Sequence, residues 1–123
     1  MAEQRPSDHH VSGRLLAALW TLRLLAGRPG EPPEPDELLV KEMPMDFLGE
    51  ELSSVMDHLM TARRRGGGHW KAAAETFREL PGPLLPRRIP GHTMSPGEQR
   101  AFVDGYAEQR TAYAEKYGHL VAG

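Results

Sequence analysis

Residues 11–25 read VSGRLLAALWTLRLL, the most apolar run in the chain. At helical spacing Val11, Leu15, Ala18, Leu19 and Leu22 share one stripe. Leu16, Trp20 and Leu24 form a second stripe on another side, at i, i+4 and i+8. A surface helix needs one apolar face; a helix with two belongs in the middle of a bundle or is shared with a second chain. The stretch therefore predicts an all-α fold organised around this helix. It also predicts a homodimer with Leu16, Trp20 and Leu24 at the interface.

Ser7 or Asp8 is placed to cap this helix by accepting from its free N–H groups, and Gly27 suits the position just past its end. Residues 1–7 read as a flexible tail. Residues 28–36 carry Pro29, Pro32, Pro33 and Pro35, whose fixed φ and missing N–H groups make a stiff connector. Residues 36–43, DELLVKEM, suit either a short helix or a short buried strand, with helix preferred.

From Asp46 the pattern predicts a second long helix, with Leu48, Leu52, Val55, Met56, Leu59 and Met60 as its inward stripe. Arg63, Arg64 and Arg65 suit its C-terminus, and Gly66, Gly67 and Gly68 its end. His69–Leu80 reads as a third helix facing inward with Trp70, Ala73, Ala74 and Phe77. A second proline-rich connector covers residues 81–94, pinned by Leu84, Leu85 and Ile89. Ser95, Pro96 and Glu98 then form a capping box with proline at the first helical position. The last helix is expected to end near Tyr117, with Gly118 as its stop. Gly105 in its interior is unfavourable by about 1 kcal/mol relative to alanine, and so marks a close approach of backbone or ligand. The expected architecture is a small four-helix domain over 1–123.

Length and composition narrow the function. The 123 residues are one domain's worth, with 39% apolar residues, 13 glycines and 11 prolines. A core this thin again favours a second copy of the chain as partner. A net charge of −2 argues against a general nucleic-acid binder. Without cysteine there is no disulfide, thiolate nucleophile or zinc–thiolate site. Residues 1–10 lack a secretory leader and 11–25 is too short to span a bilayer, so a cytoplasmic, membrane-free protein is expected.

The last helix carries the main candidate site. Phe102, Tyr106, Tyr113 and Tyr117 lie within about 60° of one another, and Gln109 fills the gap on that face. They include every tyrosine of the chain. One reading is the wall of a groove for a peptide or protein segment, with the phenols as orienting donors. The competing reading is an ordinary core stripe. Arg87 and Arg88, held between prolines, add an anion clamp.

The six histidines show no pair at i, i+3 or i+4, so no metal and no cofactor is expected. Asp57 and His58 are chain neighbours that point to different sides of a helix and make no dyad. No nucleotide-loop, nucleophile-elbow or zincin motif occurs. The preferred function is peptide binding. The alternative is a cofactor-independent enzyme that tailors a peptide or natural product by orientation, with His92, Tyr106 and Tyr113 as candidate catalytic groups. A DNA-binding regulator is third, with ARRRGGG as the turn of a helix–turn–helix.

Overall fold

The computed structural model describes residues 7–80 and 89–121, and these contain four α-helices and no strand. They are α1 (Asp8–Leu25), α2 (Pro44–Arg65), α3 (Gly67–Glu79) and α4 (Pro96–Val121), with one 3-10 turn at Pro35–Leu38. The expected tail lies almost wholly outside the described residues, as do residues 81–88 of the second connector, including Leu84 and Leu85. No helix among the described residues is long and apolar enough to cross a membrane.

α1 is the axis of the molecule. It packs most extensively against α4 and also meets α2 and α3. Twelve of its 18 residues are buried, which accounts for the two apolar stripes. Leu16, on the second stripe, is enclosed by the chain itself, whereas Trp20 and Leu24 keep part of their surface open. Two buried hydroxyls are reconciled with this setting by bonding back one turn. Ser12 Oγ donates to the Asp8 carbonyl at 2.6 Å and Thr21 Oγ1 to that of Ala17 at 2.9 Å. The Ser7 hydroxyl accepts from the His10 N–H at the start of the helix. At its end Gly27, at φ +77°, allows a Schellman turn, with the Arg28 N–H on the Arg23 carbonyl and the Gly27 N–H on that of Leu24.

Where α1 and α4 cross, two glycines face opposing backbone. A Cβ on Gly13 would overlap the Phe102 carbonyl oxygen, and one on Gly105 would overlap that of His10. The close approach marked by Gly105 is therefore made by another helix.

α2 departs from its expected face and start. It opens two residues early, with Pro44 first and the Asp46 carboxylate accepting from the Met43 N–H at 2.9 Å. Its buried side is Leu48, Glu51, His58, Leu59 and Ala62, while Met56 and Met60 are 55% and 43% exposed. At 100° per residue the inward face is turned by roughly 70° from the apolar stripe. The cause is polar. Arg23 Nη1 donates to Glu51 Oε2 at 2.8 Å, and His58 lies 3.5 Å from the other oxygen of Glu51. Arg28 adds bonds to Asp57 and Thr61.

Gly66 alone separates α2 from α3, because Gly67 and Gly68 are helical. The expected three-residue turn is absent. The region 36–43 is neither two turns of helix nor a strand: Leu38 ends the 3-10 turn and is buried, while Leu39 and Val40 are exposed. α4 runs through Gly118 to Val121. The stop fails because the final turn is held from outside: His69 Nε2 lies 3.2 Å from the Leu120 carbonyl oxygen, and Leu120 and Val121 pack on the core.

Candidate functional site

The tyrosine face of α4 splits into two parts. Phe102 is fully buried, its ring 5.5 Å from that of Phe47, and belongs to the core. Tyr106, Tyr113 and Tyr117 are buried too, but their rings also wall a groove of about 240 Å³. Ala17, Trp20 and Leu24 of α1 form the opposite wall, Pro32 closes one edge and Arg110 supplies the charged group. Gln109 faces elsewhere, with its Oε1 accepting from Arg14 Nε at 3.0 Å. Arg87 and Arg88 lie outside the described residues.

The phenols are occupied within the chain. Tyr106 donates to the Pro33 carbonyl at 2.6 Å, Tyr113 to Glu79 at 3.1 Å and Tyr117 to Glu75 at 2.8 Å. The rings of Tyr113 and Tyr117 stack with centroids 6.0 Å apart. Burial raises the pKa of all three phenols, that of Tyr106 to about 12. The bond from the Tyr117 phenol lowers the pKa of the Glu75 carboxyl. The tyrosines thus line the groove from an almost wholly buried position, Tyr106 completely so, and their hydroxyls fix the rings in place. None is poised as a base near neutral pH.

His92 is not part of this groove. It stands at a separate cleft of about 580 Å³ beside Asp8, His9 and residues 89–91, so the structure does not join it to Tyr106 and Tyr113. It does bring three groups together from distant parts of the chain. His9 is in the first turn of α1, His92 precedes α4 and Glu98 is in its first turn. Glu98 Oε2 lies 3.1 Å from His92 Nε2 and 3.7 Å from His9 Nε2, and the two imidazole rings meet edge-on with centroids 5.6 Å apart. The other oxygen of Glu98 closes the capping box by accepting from the Ser95 N–H at 2.8 Å. That bond, followed by the one to His92, holds the carboxyl down at about 2, so it is ionised across the physiological range. His9 Nε2 is buried and has no hydrogen-bond partner among the described residues. His10 turns away and pairs with Glu108 at 2.6 Å.

No sequence rule could have found this cluster, because positions 9, 92 and 98 are linked only by the α1–α4 packing. The pairing of His58 with Glu51 was within reach, since seven residues are two helical turns. Two arginines of the ARRRGGG segment have local tasks. Arg65 Nη1 donates to the Leu25 carbonyl at 2.8 Å, closing the end of α1, and Arg64 bonds to Thr61. Comparison with family models, with curated proteins and with solved structures finds no match for this chain.

Proposed function

We propose that the chain is a small helical binding protein whose α1–α4 groove takes a bulky apolar side chain of a peptide or protein segment. The observation that carries this is the size and lining of the groove. At about 240 Å³ it falls below the ~300–1,000 Å³ usual for small-molecule sites. It suits a single anchoring side chain, the kind of contact that dominates protein–peptide affinity. Aromatic ring faces and aliphatic side chains supply apolar area with little entropy left to lose, because the phenols are already tied. A tailoring enzyme acting by orientation is less well supported, since the phenols that would meet substrate are bound to Pro33, Glu79 and Glu75. A helix–turn–helix is disfavoured by the one-residue link at Gly66 and by the cap that Arg65 provides.

Self-association competes for the same surface, because Trp20 and Leu24 border the groove and remain partly open. A second copy would insert an apolar side chain there as a peptide would. The test uses Ala114→Trp, at an exposed position on the groove wall, which fills the space without touching the core. Immobilised short peptides, each carrying one Leu, Phe or Trp in a polar frame, are probed with wild type and variant. Selective binding that the variant loses supports the proposal. Equal binding by both, or none, overturns it. Sedimentation of both proteins then distinguishes the two occupants: a wild-type dimer that becomes monomeric in the variant assigns the groove to a second copy.

A further inference from the structure

The corner built by His9, His92 and Glu98 is chemically unlike the groove and lies in a different cleft. We propose that it binds one divalent transition-metal ion, zinc being the best match, through His9 Nε2, His92 Nε2 and Glu98 Oε2. Each of the three residues offers a donor atom within 4.8 Å of those of the other two. Ligands on a tetrahedral ion with bonds of about 2.0–2.1 Å stand roughly 3.3 Å apart. The observed 3.1 and 3.7 Å to Glu98 Oε2 bracket that spacing, so both imidazoles already stand at ligand spacing from the carboxylate oxygen.

Three further features favour a metal over a simple hydrogen-bonded cluster. His9 is 8% exposed, and its Nε2 faces Glu98 without a hydrogen bond, a costly state for a buried polar atom that a metal bond would end. Glu98 has two tasks: Oε1 accepts from the Ser95 N–H and fixes the carboxylate, while Oε2 is the oxygen nearer both imidazoles, with His92 Nε2 also 3.3 Å from Oε1. Orienting a ligand from its far side in this way is how metal sites are commonly stiffened. Finally, Asp8 lines the same cleft, so two carboxylates oppose the charge of a divalent ion and of the two helix N-termini nearby.

Two histidines and one carboxylate leave a coordination position free, as in sites where a metal holds water or substrate. Here that position faces the cleft of about 580 Å³ beside residues 89–91. The site would present a metal-bound water, or the metal itself, to a ligand carrying an oxygen or nitrogen donor.

Calorimetric titration of the full chain with Zn²⁺, and visible absorption after loading with Co²⁺, test the proposal. One ion per chain is expected, with a Co²⁺ spectrum of tetrahedral or five-coordinate type. His92→Ala should weaken Zn²⁺ at least tenfold; this side chain is 61% exposed, so the fold survives its loss. Glu98→Gln should weaken Zn²⁺ comparably, while glutamine can still accept from the Ser95 N–H, so the variant stays folded at the titration temperature. His119→Ala, at an exposed position on α4, should change nothing. Binding that is absent, or that survives both His92→Ala and Glu98→Gln undiminished, would overturn the assignment and leave the three residues as a helix-capping cluster.

Discussion

Gly13 and Gly105 occupy facing positions on α1 and α4, and each is the clearance for the other helix's backbone. A methyl group at either position meets a carbonyl oxygen that belongs to a helix and cannot swing aside. Gly105→Ala should therefore destabilise the protein by about 1–3 kcal/mol, the range for overpacking, although alanine is the better helix former. Gly118→Ala should do the reverse and stabilise by roughly 0.5–1 kcal/mol, because that glycine is helical and a Cβ there meets nothing within 4 Å. Urea unfolding of the two variants side by side gives the answer.

The pairing of Arg23 with Glu51 gives a second prediction. Glu51 is 5% exposed, so removing the guanidinium leaves a carboxylate stranded inside. Arg23→Met should cost about 3 kcal/mol by the rule for broken buried pairs, whereas Arg23→Met with Glu51→Leu should recover most of that loss. A double-mutant cycle by chemical denaturation measures it. Non-recovery would mean that Arg23 matters chiefly through its two bonds to the Pro29 carbonyl.

Glu98 sets a pH dependence. Its folded pKa, about 2, lies below the ordinary 4.5, so its contribution is present above pH 4.5. That contribution is lost as pH falls from about 4.5 through about 2. Melting temperatures of wild type and Glu98→Gln should converge over this interval as the pH is lowered. A constant difference across it would show that the carboxylate is not the group responsible.

The tyrosines provide a test of groove against core. Tyr113→Phe removes one hydrogen bond and should cost about 1 kcal/mol. Phe102→Ala, in the closed core, should cost about 3–5 kcal/mol, and Tyr113→Ala clearly less, since its ring already borders open space. Alkaline spectrophotometric titration adds a check. Raised phenol pKa values stabilise the fold below pH 10, and that part is lost as pH climbs through about 12 at Tyr106. Tyrosinate absorbance should therefore rise late and together with unfolding.

Features decided within one or two turns of chain were legible beforehand. The Ser7 and Ser95 caps, the Gly27 terminus and the central burial of residues 11–25 all rest on local chemistry, and the structure has them. Features decided across the fold were not. The apolar stripe of α2 misjudged the buried face because an arginine 28 residues away draws Glu51 inward. Gly118 reads as a stop, yet His69 holds the turn that follows it. That Phe102, Tyr106, Tyr113 and Tyr117 share a buried face was readable from spacing. The engagement of the tyrosine hydroxyls was not, because Pro33, Glu75 and Glu79 lie 73, 42 and 34 residues away.

The proline-rich segment after α1 is gripped at two of its carbonyl oxygens. Arg23 holds that of Pro29 with two bonds, and Tyr106 and Arg110 share that of Pro33. Prolines have no N–H to offer, and carbonyls are the one group every residue supplies. At these two carbonyls recognition is consequently blind to side-chain identity and strict about length. Exchanges among its residues that keep the backbone extended leave all four bonds possible. A single inserted residue slides one carbonyl away from its clamp and shifts Pro32, an edge of the groove, with it.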